Sequence, residues 1–128
     1  MSEFRSGQYL TFRIGRSDFA ILAERVRGIL PIYDLVNGEP GSSLAGYATT
    51  LGVTFPVFDL CRLLNLKSAA HGRNPSIVVV NTAEGLSGFI ADSLTDIIYA
   101  RQHDFRAGKI RLGRARPVLD PDTLVHTI

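Results

Sequence analysis

The sequence predicts a mainly β protein with short helices, made of two small β-barrels that are related by an internal repeat. Residues 9–30 align without a gap onto residues 77–98. A second echo follows each copy, because residues 55–59 (FPVFD) return as residues 116–120 (RPVLD). Short apolar segments punctuated by glycine and proline are typical of small barrels. Two such units in sequence also predict that a partner docks on the surface between them.

Length and composition are those of one globular domain. The chain has 128 residues, of which 45% are hydrophobic and 20% charged, which excludes a disordered protein. We expect one domain over residues 1–128, with repeat halves at about 8–67 and 76–125. The single cysteine, Cys61, excludes an intrachain disulfide and favours a reducing compartment. The sequence shows no signal peptide and no apolar run of about 18 residues, so we expect no membrane insertion.

The first half is predicted to begin with a β-hairpin over residues 8–22, where apolar and polar side chains alternate. Residues 23–30 predict a helical turn that runs into a strand. A further strand is expected over 52–58. Asp59 follows it at the position of a helix N-cap, which predicts a short helix over 60–66.

The second half is predicted to repeat this plan. Residues 76–91 have the pattern of a second hairpin, and residues 92–96 align with the helical turn of the first half. Short strands are expected at 109–112 and 116–119. Pro121 follows an aspartate and stands at the first position of a final helix, where proline is favoured.

The sequence predicts no catalytic, cofactor-binding or metal site. His71, His103 and His126 each lack a second ligand at metal-binding spacing. Asp92 and Asp96 would share one face if residues 92–96 are helical, and a solvated face is the preferred interpretation over acid–base chemistry. Phosphate-binding glycine loops and nucleophile elbows are absent from the sequence. We therefore expect that the protein is not an enzyme and needs no cofactor.

Basic residues cluster near the C-terminus, although the net charge is only +2 and the pI is about 9.0. A basic run can contact an acidic protein, bind nucleic acid or face solvent. Phe105 is the one aromatic residue within it, which gives little surface for base stacking. A nucleic-acid-binding β-barrel protein is therefore the alternative function, and the leading interpretation expects no nucleic acid. The members of this possible basic patch are Arg106, Lys109, Arg111, Arg114 and Arg116.

Two stretches carry a resemblance to a known family. Residues 46–60 follow the pattern Gly-apolar-x-Asn-x-Arg-Gly-x-apolar-apolar-Pro-apolar-apolar-Asp-Leu, and residues 88–97 follow Gly-apolar-apolar-apolar-Asp-x-apolar-x-Asp-apolar. In this combination and order the chain resembles the CheW-like domain, an adaptor family of bacterial chemosensory arrays. The resemblance implies two intertwined barrels with a groove between them. It also implies a cytoplasmic, non-catalytic adaptor that couples methyl-accepting chemoreceptors to a histidine kinase of the CheA type.

The chain departs from the family pattern in its middle motif. Thr49 and Leu51 stand where the family carries asparagine and arginine, and Gly28 stands where an acidic residue is common. An arginine-to-leucine exchange removes a fixed charge and five hydrogen-bond donors. It therefore suggests a more apolar contact and leaves open a variant partner in chemotaxis or in another pathway. The candidate protein-binding residues around the groove are Val26, Ile29, Thr49, Leu51 and Val53.

Overall fold

The computed structural model describes residues 5–36, 43–64 and 75–126. In those ranges the chain is mainly β, as predicted, with two short α-helices and three 3-10 turns. The 3-10 turns are Ala23–Arg25, Ile32–Asp34 and Gln102–Asp104, and the helices are α1 (Leu60–Leu63) and α2 (Pro121–His126). The strands are β1 (Gly7–Ile14), β2 (Ser17–Leu22), β3 (Val26–Pro31), β4 (Leu44–Thr50), β5 (Val53–Phe58), β6 (Ser76–Thr82), β7 (Gly85–Ala91), β8 (Ser93–Ala100), β9 (Phe105–Arg106), β10 (Lys109–Leu112) and β11 (Arg114–Pro117).

The two halves exchange their third strands. Strands β1 and β2 form the first predicted hairpin, and their sheet is completed by β8 in the order β2-β1-β8. Strands β6 and β7 form the second hairpin and pair with β3 in the sheet β3-β6-β7-β5-β4. A small third sheet has the order β11-β10-β9. The halves are thus intertwined through backbone hydrogen bonds.

The exchanged strands pair in the same register, down to a shared β-bulge. The bulge in β8 lies at Thr95 and the one in β3 lies at Arg27, which are aligned positions in the repeat. A bulge inserts one unpaired residue and increases the local twist. The flanking pairs are Phe12↔Leu94 and Thr11↔Asp96 in one half, and Val80↔Val26 and Val79↔Gly28 in the other.

The second echo of the sequence also has equivalent partners. Val57 of β5 pairs in parallel with Gly88 of β7, and Val118 forms a parallel bridge with Ala20 of β2. Gly88 aligns with Ala20 in the first repeat, and Val57 aligns with Val118 in the second echo. The two parallel pairs therefore occupy equivalent positions in the two halves. The boundaries 8–67 and 76–125 stay a prediction, because residues 65–74 between them lie outside the described residues.

The buried apolar residues form one core between the halves and a smaller core at each end. The central core contains Leu10, Phe12, Ile14, Phe19, Ile21, Leu60, Cys61, Val78, Val80, Phe89 and Ala91. The β4–β5 end core contains Ala48, Phe55, Val57, Ile77, Val79 and Ile90, and the β10 end core contains Tyr9, Ala20, Ala100 and Ile110. Both halves supply side chains to the central core, so neither half buries its apolar surface alone.

The sheets remain open and do not form closed barrels. Beside β4, the described residues add one isolated bridge, between Val36 and Tyr47, with two backbone hydrogen bonds of 2.8 Å. The gap between β2 and β11 is spanned by Ala20↔Val118 and by the Leu119 N–H, which donates to the Ala20 carbonyl at 2.8 Å. Each of these isolated bridges is too short to continue a ladder.

Helix capping agrees with the sequence. The Asp59 carboxylate accepts a hydrogen bond from the Cys61 N–H at 3.0 Å and caps α1. Asp120 accepts from the Asp122 N–H at 3.0 Å at the start of α2. No helix in the described ranges is long and apolar enough to span a membrane.

The helical turn predicted at residues 92–96 is wrong, because β8 runs unbroken from Ser93. The Asp92 N–H donates to the Arg13 carbonyl at 2.9 Å, and the Asp92 carboxylate accepts from the Gly15 N–H. These bonds hold the corner against β1, so Asp92 and Asp96 do not share a helix face. The last strand is Arg114–Pro117 instead of 116–119, because Gly113 makes the turn earlier than expected.

Candidate protein-binding surfaces

The tip of the β4–β5 hairpin projects a leucine into solvent. Leu51 is 99% exposed and has φ 48, and Gly52 beside it has φ 78. Both lie between the paired residues Thr50 and Val53, in a two-residue turn with positive φ at both positions. Such turns favour asparagine followed by glycine, and a left-handed φ costs another L-residue about 1–2 kcal/mol. Leu51 therefore contributes no packing to this fold and occupies a backbone conformation that suits it poorly.

The other candidates on this hairpin lie on opposite faces of it. Thr49 is exposed on the outer face, where its hydroxyl lies 2.8 Å from that of Thr54 across the ladder. Val53 pairs with Thr50 on the core-facing side and is still 47% exposed, because it lies beyond the end core. Leu51 joins the two faces at the tip.

The outer face of β4 and β5 carries no charge. Val36 bridges to Tyr47, which pairs with Pro56, and Thr49 pairs with Thr54. Val36 and Tyr47 are 55% and 43% exposed. We call this set, Val36, Tyr47, Thr49, Thr54 and Pro56, the uncharged face.

The candidates on β3 border the central core. Val26 is half-buried and packs against that core. Ile29 pairs with Val78, a central-core residue, but is itself 42% exposed. In the order of the sheet, β3 and β4 are at opposite ends, so two of the five predicted contact residues lie on β3 and three on the β4–β5 hairpin.

The counterpart of Ile29 in the other half was not among the predicted contact residues. Ile97 of β8 pairs with Leu10 of the central core and is 59% exposed. The exposed Leu94 and Tyr99 lie on the same strand. The repeat itself was the available signal, since Ile97 aligns with Ile29. Two edge strands thus border the central core with exposed apolar side chains.

The predicted basic patch is divided by the alternation of strand residues. Lys109 pairs with Arg106 and with Pro117, and Arg111 pairs with Ala115, so these five residues share the outer face of the small sheet. We call them the basic face. The opposite face turns Ile110 and Phe105 towards the end core.

The other two arginines of the patch are engaged in the protein. Arg116 donates to the Leu112 carbonyl at 2.9 Å. Arg114 forms an ion pair with Asp18, which also accepts from Arg13 at 2.9 Å. The Arg13 and Arg114 hydrogen bonds hold the pKa of Asp18 below its usual value, and Asp18 raises the pKa of Arg13. Arg114 therefore locks β11 to β2 and is not available as a free charge.

The potential metal ligands among the described residues are dispersed. No group of three or more His, Cys, Asp or Glu residues in residues 5–36, 43–64 and 75–126 is placed to hold a metal ion. Cys61 packs in the central core at 8% exposure. The side chain of His103, which is largely exposed, lies 3.5 Å from Asp104.

Comparison with known proteins decides the family. The family model for the CheW-like domain matches residues 8–126. The chain belongs to the CheW-like domain family. No curated protein sequence matches it.

A solved structure has the same CheW-like fold. The crystal structure of the scaffolding protein TtCheW from Thermoanaerobacter tengcongensis aligns with a TM-score of 0.81. The alignment covers 93% of this chain and 87% of that one, at 13% identity. The predicted CheW-like architecture is thereby confirmed, and at that level of identity the similarity concerns the fold alone.

Proposed function

We propose that this CheW-like domain is a non-catalytic adaptor in the cytoplasm of a bacterial chemosensory system. It couples a chemoreceptor to a CheA-type histidine kinase or to a variant of that kinase. Membership of the CheW-like family supports a scaffolding role in chemotaxis signalling. The observation that carries the proposal for this chain is the exposed leucine at the tip of the β4–β5 hairpin.

Leu51 has the properties of a docking side chain. Burying a leucine against a partner contributes about 1.5–3 kcal/mol, and none of this is realised while the side chain is 99% exposed. Backbone strain at an exposed position is a reason to infer a function there. Leu51 inserts into an apolar pocket of the kinase, in place of the charged contact that the family arginine would make. Val53 and the uncharged face flank the insertion.

The border of the central core suits a second partner. Ile29 and Ile97 are exposed on two edge strands, and each pairs with a residue of the central core. A groove lined in this way accepts the apolar face of an amphipathic helix. The helical tip of a receptor lies there in this proposal, away from the hairpin that binds the kinase.

The test is a binding titration of purified CheA-type kinase beside a melting curve for each variant. Leu51→Asp is expected to weaken binding about tenfold or more, because a carboxylate cannot enter an apolar pocket. Its melting temperature should not fall, since the Leu51 side chain makes no core contact and aspartate tolerates a left-handed φ. Leu51→Arg restores the family residue and should improve binding to a kinase that suits the usual adaptors.

Arg16→Asp is the matched control, since Arg16 is exposed in the turn between β1 and β2, outside the candidate contact surfaces. It should leave kinase binding unchanged. If Leu51→Asp binds as well as the unmodified protein, the hairpin is not the kinase site. If Leu51→Asp melts many degrees lower, Leu51 supports the fold and the docking role is wrong.

A further inference from the structure

The two outer hairpin faces are equivalent in geometry and opposite in character. The bridge from Val36 to Tyr47 has its counterpart in the pair Arg106↔Lys109, and Thr49↔Thr54 has its counterpart in Arg111↔Ala115. Position by position, the uncharged face and the basic face correspond as Val36 and Arg106, Tyr47 and Lys109, Thr49 and Arg111, Thr54 and Ala115, Pro56 and Pro117. We propose that the basic face is a second docking surface, and that it binds an acidic surface of a protein partner.

The three cations of this face are free in the part of the chain that the structure describes. Arg106, Lys109 and Arg111 make no ion pair or side-chain hydrogen bond there, and Arg106 and Arg111 are exposed. Some other surface arginines are paired, since Arg25 lies 2.9 Å from Asp122 and Arg13 lies 2.9 Å from Asp18. The three unpaired cations of the basic face lie side by side on one small sheet.

The placement of these cations costs stability in the isolated protein. Lys109 and Arg106 are direct cross-strand neighbours, and like charges in that position repel. Arg111 lies two residues further along β10, on the same face and about 7 Å away at the strand rise. An acidic partner relieves this repulsion on binding. Ala115 and Pro117 beside the cations are small, so a partner surface can approach the sheet closely.

The face favours a protein over nucleic acid. Its one nearby aromatic ring, Phe105, points to the opposite side and stacks edge-on against Tyr9 at 5.6 Å. No base could stack on it in that position. Three cations also form a smaller set than the roughly six to ten phosphate contacts of a typical nucleic-acid-binding protein. The inference goes beyond the adaptor proposal, because it concerns a surface that Leu51 does not touch.

The experiment uses a fluorescent oligoglutamate peptide as a probe of acidic protein surface, titrated against the full chain. The triple variant R106Q/K109Q/R111Q is compared with R16Q/R27Q/R62Q, which removes three exposed arginines elsewhere and has the same net charge. The face variant should lose about tenfold in affinity, and the control less than about twofold. The face variant should also melt no lower than the unmodified protein, because a repulsive pair is removed.

A transfer variant tests sufficiency. V36R/Y47K/T49R places the three cations at the equivalent positions of the uncharged face. It should create a second binding site for the peptide. Leu51→Asp should leave peptide binding intact, so that failure of the hairpin proposal and failure of this one are distinguishable.

Three results would overturn the proposal. Equal losses in the two triple variants would mean that the peptide senses net charge alone. A transfer variant that binds no additional peptide would mean that the face geometry does not create a site. A single-stranded oligonucleotide of equal charge that binds more tightly than the peptide, with a steeper salt dependence, would assign the face to nucleic acid.

Discussion

The two end hairpins of this protein share a backbone plan and differ in what they show to solvent. Ala48 and Ile110 occupy equivalent inward positions and both are buried. Tyr47 and Lys109 occupy equivalent outward positions, one aromatic and one cationic. The inward positions are constrained by the end cores, whereas the outward ones are free to follow a partner. Duplication of a fold thus gives one protein two outer faces with different chemistry.

The tips of the same hairpins differ as well. The first tip holds two residues, Leu51 and Gly52, between paired strands. At the second tip only Gly113 separates the paired residues Leu112 and Arg114, and its φ is 78. A glycine tip projects no side chain. A projecting apolar residue is therefore a property of the first hairpin.

The largest stability effect should come from the site where the halves differ inside the core. Gly88 aligns with Ala20, yet a methyl group added at Gly88 would lie 2.9 Å from Ile77 Cγ2 and 3.2 Å from Phe55 Cε1. Gly88→Ala should cost about 1–3 kcal/mol of unfolding free energy through overpacking. Urea denaturation measures it. Gly28→Ala is the control, because nothing lies within 4 Å of that position, and it should be neutral or stabilising.

Gly88→Ala could instead leave the stability unchanged. That result would show that the β4–β5 end core accommodates the added methyl group, as the other half accommodates Ala20. In that case the two end cores would differ in residue identity but not in tightness of packing.

A medium effect is expected at the tip that distinguishes the two hairpins. Leu51→Asn should raise the unfolding free energy by about 1 kcal/mol, because asparagine tolerates a left-handed φ and leucine does not. The same variant should bind the kinase more weakly, because it lacks the apolar side chain. Chemical denaturation measures the change in unfolding free energy, and the kinase titration measures the change in affinity. A variant that gains stability and keeps full binding would remove Leu51 from the interface.

The smallest effect concerns an ion-pair lock that only one half contains. Asp18, with Arg13 and Arg114, has a lowered pKa, and its aligned residue in the other half is Leu86. A lowered carboxyl pKa in the folded state adds stability that is complete above the ordinary pKa of about 4. That stability is lost as the pH falls through the lowered value.

The urea midpoint should therefore fall on acidification below about pH 4, and Asp18→Asn should flatten that part of the profile. The slope at higher pH should be the same in both proteins. Identical acid limbs would show that the lock between β2 and β11 adds nothing to folding stability.

Local signals in the sequence predicted the hairpins and both helix caps, because alternation and capping act over a few residues. The helical turn at 92–96 was wrong for a reason that is not local. It was inferred by alignment with residues 23–30, whereas Asp92 is held by Arg13 and Gly15 of a distant hairpin. No pattern within the segment itself records that contact.

For the candidate surfaces, local sequence signals were likewise insufficient to predict which side chains are exposed and unpaired. The basic run was identified as one patch, but strand alternation places Lys109 and Arg111 outward, whereas Arg114 pairs with Asp18 far away in sequence. Leu51 was singled out from its departure from the family pattern, and its exposure depends on the turn that the folded hairpin makes. Such facts require tertiary structure, because a side chain's partner and exposure are set by residues remote from it.

The exchange of third strands has a consequence for the order in which this protein folds during synthesis. Strand β1 finds its second neighbour only in β8, with pairs from Arg13↔Ser93 to Gly7↔Ala100. The ribosome must therefore release the chain as far as Ala100 before the first hairpin can complete its sheet. Until then the edge of β1 that pairs with β8 is unpaired and the apolar face of the hairpin is exposed. Pairing between strands so far apart in sequence is slow. We expect this chain to be most prone to aggregation while only its first half has been synthesised.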